Sequence, residues 1–352
     1  MSVRMWSTVA VAIMAMGAIA GTRSVQNAPK PAGSARALAA AESFLSTLDQ
    51  RQRAKANIEL NERSRTIWSN LPTGTKMQVG ATERNGLKLG DMTPAQEKAA
   101  LALLAATLSP EGYQKALAIV DADQVLEQRS APSRAPTAAI RFGRAEYYLA
   151  ILGKPSIADT WMLQFGGHHL AINVTLAGEG RVLAPTHTGT QPATYSIDGK
   201  TIRPLGDEND KAFALINALT DEQRKQAVLG VEVRNLVLGP GVDGKTIEPE
   251  GVRAAAFTPA QRTLLTDLIR EWVEILDAEA SAAKMKEVQQ TIADTYFAWA
   301  GPTTNGKGAY FRIQGPAVLI EYAPQGQGDN NIDHIHTIYR EPSNDYAARS
   351  AR

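Results

Sequence analysis

Four of the five histidines in this 352-residue sequence fall in two short patches, His168-His169 and His334-Ile335-His336. Imidazole nitrogen is a ligand of zinc, copper, iron and nickel, and protein sites for such ions use three or four ligands. Because side chains alternate along a β-strand, His334 and His336 project from one face with Cα atoms about 6.5–7 Å apart. This spacing suits two imidazoles that share one metal ion.

The other patch follows Gly166 and Gly167, which permit a tight turn or a close backbone approach. In a regular strand, His168 and His169 face opposite sides, so we expect three ligands more readily than four. His169 is the better candidate because its side of the strand is the more polar, and His168 is kept as a fourth. The alternative is that these are core histidines that hydrogen-bond across strands.

Three other residues are candidates for roles beside the metal. Glu321 ends an apolar run, and a buried carboxylate needs a partner, so it is a candidate ligand, general base or salt-bridge partner. Tyr322 and Gln164 are candidate substrate contacts. His187 lies alone in a loop and is a candidate further ligand.

Helix signals dominate much of the chain. Residues 36–68 have apolar positions at helical spacing, and further helices are predicted at about 207–229, 258–282 and 284–298. Thr93, Thr220 and Thr258 are each followed three residues later by Gln, which is the pattern of a capping box at a helix start. No fixed period connects the three, so a solenoid is not predicted.

Two β regions, at about 157–205 and 309–340, are separated by helices and contain one histidine patch each. The predicted fold class is α+β, with a helical N-terminal part and inserted helices packed on an antiparallel sheet built from both regions. Such a shared sheet would bring the two patches together.

The N-terminus has the pattern of a secretory signal peptide. Arg4 precedes an apolar run, and Ala18-Ile19-Ala20 is a small-x-small cleavage motif. We predict a signal peptide at residues 1–20, a flexible leader at 21–35 and one domain at 36–345. The mature protein is expected in the periplasm or secreted.

Charge and composition exclude several classes of partner and site. Without residues 1–20, the chain has 36 basic and 36 acidic residues, which argues against nucleic acid and against an anionic membrane surface. The sequence has no Cys, which excludes disulfides and thiolate ligands. Residues 239–246 match the letters of a phosphate-binding loop, but Glu248-Pro249 follows where a helix must begin, so a turn-rich loop is expected.

Six motifs together resemble the family catalogued as domain of unknown function 3500, over roughly residues 40–345. The motifs are Phe165–Leu170, Leu238–Gly244, Phe297–Gly301, Tyr310–Pro316, Ile320–Tyr322 and Asp333–Thr337. The resemblance implies no established activity. It disfavours His187 as a ligand, because members often have an aromatic residue at that place.

The sequence therefore favours an exported metalloprotein whose ligands are His169, His334 and His336, with His168 as a possible addition. Zinc or copper is the predicted metal, and iron is the less favoured alternative. If it is an enzyme, it is a hydrolase or oxidoreductase of a small molecule, with Glu321 as general base. The rival hypothesis is a non-catalytic periplasmic binding or scaffold protein with structural histidines. Converging imidazoles favour the first hypothesis, and imidazoles bonded to separate partners favour the second.

Overall fold

The computed structural model describes residues 33–75, 83–131, 140–325 and 332–349. These residues form helices and one large sheet, so the prediction of an α+β fold is confirmed. The predicted signal peptide, and the leader as far as residue 32, lie outside the described residues. Within the described ranges, no helix is both long and apolar enough to cross a membrane.

The helices begin where the sequence places capping residues. Thr93, Thr220 and Thr258 each form the predicted capping box with a Gln side chain. Asp49 forms a fourth, with Gln52. The helices are α1 (Gly33–Ser46), α2 (Gln50–Ala56), α3 (Pro94–Thr107), α4 (Pro110–Ser130), α5 (Gly206–Ala218), α6 (Asp221–Ala227), α7 (Pro259–Val273) and α8 (Ala278–Thr291).

Twelve of the described strands form one sheet, and two form a separate hairpin. The strands are β1 (Asn57–Ile58), β2 (Leu87–Lys88), β3 (Tyr148–Leu152), β4 (Trp161–Gly167), β5 (Leu170–Ala177), β6 (Gly180–Val182), β7 (Thr186–Thr190), β8 (Tyr195–Ile197), β9 (Lys200–Ile202), β10 (Val252–Arg253), β11 (Tyr296–Ala300), β12 (Tyr310–Gln314), β13 (Leu319–Pro324) and β14 (Ile335–Arg340). The main path is β1-β3-β4-β5-β7-β14-β13-β12-β11-β10, with β2 beside β3 and β6 beside β5. The two predicted β regions thus share a sheet, joined by the antiparallel pair β7–β14.

Some predicted boundaries differ from the structure. Residues 33–35, assigned to the leader, belong to α1, and the helical segment expected at 36–68 ends at Ala56. The helix expected to reach residue 298 ends earlier, and residues 296–300 form β11. One short pairing, β1 with β3, is parallel.

The two faces of the sheet are buried against different material. One face, with residues such as Phe165, Ile172 and Phe311, joins the helices in the main hydrophobic core. On the other face, small clusters around Met162 and Tyr310 pack against irregular segments. Polar side chains are buried on this second face, and His336 is one of them. We call it the polar face.

The two halves of the chain have the same order of elements. In each half, a short strand and a 3-10 turn precede a Thr-capped helix, which is followed by a second helix and three sheet strands. The order is β2–α3–α4–β3–β4–β5 in the first half and β10–α7–α8–β11–β12–β13 in the second. The capping glutamines match too, because Gln96 bonds to Gln52 as Gln261 bonds to Gln223. The β4–β5 and β12–β13 hairpin tips are therefore equivalent positions, and they lie at opposite ends of the sheet.

Candidate metal centre

The first histidine patch forms the tip of the β4–β5 hairpin. Gly167 pairs with Leu170, so His168 and His169 are the two residues of the turn. His169 has a positive φ of 65°, which only its position in a tight turn explains. Adjacent residues of a regular strand point to opposite faces, and this turn departs from the regular strand, so it allows His168 and His169 to lie near one site.

Both glycines before the turn are required by close neighbours. A Cβ atom on Gly166 would meet the Leu170 carbonyl oxygen at 2.4 Å, and one on Gly167 would meet the Tyr147 ring at 2.7 Å. The buried Tyr147 hydroxyl donates a hydrogen bond to the His168 carbonyl at 2.6 Å. These contacts fix the position of the turn.

The second patch reaches the same place through β14. His336 lies opposite Gly189 of β7 in the antiparallel register. A Cβ atom on Gly189 would come within 3.2 Å of the His336 ring and 3.1 Å of the His187 ring. The absence of a side chain at Gly189 therefore makes room for both imidazoles.

Three imidazoles from the two patches converge on one point. His334 Nε2 lies 2.8 Å from His169 Nε2 and 3.1 Å from His336 Nε2. One ligand nitrogen from each residue lies within 4.8 Å of the other two. We call His169, His334 and His336 the three-histidine cluster. His169 and His336 are buried, and His334 is partly exposed.

The cluster is electrically neutral at neutral pH. Burial lowers the pKa of His169 and of His336 well below the usual value, and neighbouring imidazoles lower both further. Burial, with a contribution from His168, lowers the pKa of His334 to about 4. Neutral imidazole has one nitrogen lone pair available, so all three can act as ligands without first losing a proton.

The separations fit a single ion. Tetrahedral ligands with metal–nitrogen distances of about 2.0–2.1 Å are about 3.3 Å apart, compared with 2.8 and 3.1 Å for the two contacts of His334 and no more than 4.8 Å for any pair in the cluster. A neutral Nε2 has either one proton or one lone pair, so the His334 Nε2 can form a linear hydrogen bond with only one of its two neighbours. A cation satisfies all three at once.

His187 lies beside the cluster, with its ring centre 5.0 Å from that of His336, and it bonds to other groups. It is fully buried, and burial lowers its pKa to about 3, so it is neutral. Its Nδ1 lies 3.2 Å from the His169 carbonyl oxygen, and its Nε2 lies 3.3 Å from the Asn70 amide nitrogen. The Asn70 carbonyl in turn accepts a hydrogen bond from the His169 backbone at 3.0 Å. His187 and Asn70 thus hold the backbone of one cluster member.

His168 stacks on His169 with ring centroids 3.6 Å apart, but its Nδ1 is bonded to Asp123 at 2.6 Å. The same carboxylate accepts a hydrogen bond from the Gly143 backbone at 2.7 Å. Sequence reasoning missed Asp123, although an acidic residue beside Val120 and Ala122 on the buried side of α4 was a usable signal.

Glu321 and Tyr322 do not belong to the three-histidine cluster, although Glu321 lies on the same face of the neighbouring strand as His336. The Glu321 carboxylate accepts hydrogen bonds from the Val237 and Leu238 backbone at 3.0 and 2.7 Å and from the Tyr310 hydroxyl at 2.5 Å. Tyr322 projects from the opposite face of the sheet and stacks on Phe311 in the main core. These contacts account for both residues without a role at a metal.

Gln164 also has structural partners. It accepts a hydrogen bond from Asn85 at 2.8 Å and donates one to the Arg65 carbonyl at 3.0 Å. Both bonds tie β4 to the irregular segments that cover the polar face.

A family model described as protein of unknown function (DUF3500) matches residues 31–348. The chain belongs to this family. The match covers nearly the whole sequence and includes both histidine patches, so the family resemblance predicted from the motifs is confirmed. No curated protein and no solved structure is significantly similar to the chain.

The two hypotheses about the histidines each describe part of what is observed. Both ring nitrogens of His187 contact other groups, as in a structural histidine, whereas His168 uses only Nδ1, in a bond to a carboxylate. The three-histidine cluster converges, as metal ligands do, and could hold an ion. The three cluster histidines are therefore the candidate ligands, His187 is a supporting residue, and His168, which lies outside the cluster, remains a predicted addition.

Proposed function

We propose that this protein is an exported metalloprotein in which His169, His334 and His336 bind one transition-metal ion through their Nε2 atoms. The observation that carries the proposal is the convergence of three neutral imidazoles, in which the His334 Nε2 lies within hydrogen-bond distance of both other Nε2 atoms but has only one proton or one lone pair to share between them. Zinc and copper are the ions that such an all-imidazole set favours, ahead of iron.

Three protein ligands leave a coordination position for water or substrate. This is the arrangement of catalytic zinc sites, whereas structural zinc sites are closed by four protein ligands. The partial exposure of His334 gives that position a route to solvent. With zinc the centre would lower the pKa of bound water and support hydrolysis, and with copper it would support oxidation chemistry on a small molecule.

The export part of the proposal rests on the sequence of the first 20 residues. Mass spectrometry of the protein recovered from the producing cell tests it, and a mature chain that begins at Gly21 is expected. A full-length chain retained inside the cell would contradict this part alone.

Metal analysis of the purified protein tests the centre itself. We predict about one equivalent of zinc or copper in the parent and less than about one tenth in the His334→Ala, His336→Ala double variant. The matched control is His168→Asn, which removes an imidazole from the same turn but outside the cluster and is expected to keep the metal. No metal in the parent after reconstitution with each ion would refute the proposal.

A further inference from the structure

A cavity of about 810 Å³ lies at the other end of the sheet from the three-histidine cluster. Its walls are the loop at 238–249, the β12–β13 hairpin tip, the end of β14 and the segment after it. Arg340, which lines it, is four residues beyond His336 on β14, or about 13 Å along the strand. The volume lies within the range of small-molecule sites, about 300–1,000 Å³.

Two cations of the cavity have no acidic partner in the described parts of the chain. Each lining acid is already paired: Asp243 and Asp345 with Arg340, Glu341 with Lys284, and Asp294 with Arg253. Arg65 and Lys245 are the remaining lining cations, and neither forms an ion pair with a described residue. Asp243 and Asp345 share the single charge of Arg340, so the positive charge that an anion would neutralise lies locally at the unpaired Arg65 and Lys245.

Other unsatisfied groups accompany these cations. Arg65 Nε and the Gln314 amide oxygen are buried without a hydrogen-bond partner among the described residues. The Arg65 guanidinium lies 5.4 Å from the centre of the Tyr346 ring, which orients it. The apolar side chains of Pro316 and Leu319 also line the cavity. A ligand with an acidic group and an apolar body matches this lining.

Backbone strain points to the same place. Five described residues other than glycine have a positive φ, and three of them, Ser343, Tyr346 and Ala347, lie in the segment that borders the cavity. A fourth is His169 in the three-histidine cluster. Such conformations cost free energy and concentrate at functional sites. The residues with positive φ thus lie at or beside the two equivalent hairpin tips, β4–β5 and β12–β13.

The loop that resembles a phosphate-binding motif contributes to this cavity. Gly244, Lys245 and Thr246 line it, and residues 247–250 continue as a loop, where the phosphate-binding motif requires the start of a helix. Lys245 is exposed on its loop and available to a ligand.

We infer that the cavity binds an amphipathic organic anion, with its acidic group at Arg65 and Lys245 and its apolar body against Pro316, Leu319 and the Tyr346 ring. The acidic group is a carboxylate or a phosphate, both of which these cations bind. The site is distinct from the proposed metal centre and does not depend on it.

The test uses 1-anilinonaphthalene-8-sulfonate, an aromatic anion that fluoresces in apolar sites, and its neutral analogue N-phenyl-1-naphthylamine. We expect saturable binding of the sulfonate to the full chain at one site. Lys245→Met and Arg65→Met should each weaken it about tenfold, as expected for loss of a charge-assisted contact. Binding of the neutral analogue should change by less than about twofold in both variants.

The controls separate this site from general charge and from the metal. Lys200→Met removes an exposed lysine of β9 and is expected to bind the sulfonate as the parent does. The His334→Ala, His336→Ala variant should also bind it normally. Competition by 2-naphthoate and by 2-naphthyl phosphate then shows which acidic group is preferred. No saturable binding, or equal binding by the parent, Lys245→Met and Arg65→Met, would overturn the inference.

Discussion

The protonation state of each imidazole is the property on which the metal centre depends at the scale of single residues. Burial lowers the pKa of His169, His334 and His336, so the proton is absent from the ligand nitrogen under ordinary conditions. Exposed histidines with a pKa near 6.5 would be protonated at mildly acidic pH and would lose the metal there. The cluster should behave differently.

We predict that zinc affinity changes by less than about tenfold between pH 7.5 and pH 5.0. A lowered pKa means that protons compete with the metal only when the pH approaches about 4, the value for His334. Three ordinary imidazoles would instead lose about 10⁴-fold in affinity over this interval. Calorimetric titration against a competing chelator measures the difference. A steep loss centred near pH 6.5 would contradict the proposed protonation states.

At the scale of elements, a tight turn and two neighbouring strands place the ligands. The β4–β5 turn carries His169, His334 lies immediately before β14, and His336 lies in β14 opposite Gly189 of β7. Because the register is fixed by continuous pairing through β5, β7 and β14, the ligands need no long flexible loop to meet. The His336 ring packs directly against Gly189, so its position depends on the absence of a side chain there.

Gly189→Ala is predicted to weaken zinc binding by about tenfold or more, the effect expected of a displaced ligand support. The new methyl group would press on the Ile335 carbonyl oxygen at 2.8 Å and on the His336 ring at 3.2 Å. Gly230→Ala is the matched control, because a Cβ atom there meets no atom within 4 Å. Equal zinc affinities of the two variants and the parent would show that Gly189 does not position the site.

The sequence predicted several elements well because their local signals are strong. The Thr–Gln capping boxes marked helix starts at Thr93, Thr220 and Thr258, and the structure confirms each. The sequence did not predict β11, because no glycine or proline marks the end of the helical segment between α8 and this strand. Glu321 looked available from sequence because two of its three donors come from a loop more than 80 residues earlier.

At the scale of the whole molecule, the cluster joins the two halves of the chain. His169 lies in the first half and His334 and His336 in the second, 165 residues or more apart in sequence. The histidine patches could be recognised from their spacing, but the equivalence of the halves and the separate bonding of His168 and His187 depend on tertiary contacts that no local pattern encodes.

A metal that joins both halves should stabilise the folded chain. At a free zinc concentration 100 times the dissociation constant, we predict a gain of about 2.7 kcal/mol in the free energy of unfolding, because only the folded state holds the three ligands together. Thermal denaturation followed by circular dichroism should show a higher Tm with zinc than with chelator. The His334→Ala, His336→Ala variant should show the same Tm in both conditions, and a zinc-dependent rise in that variant would place the stabilising ion elsewhere.

The most direct test of the metal centre is a crystal structure of the zinc-loaded protein with data collected on both sides of the zinc absorption edge. We predict one anomalous peak bonded to Nε2 of His169, His334 and His336 at about 2.0–2.1 Å. A map with no peak at these residues, and with their imidazoles hydrogen-bonded to protein groups, would contradict the assignment.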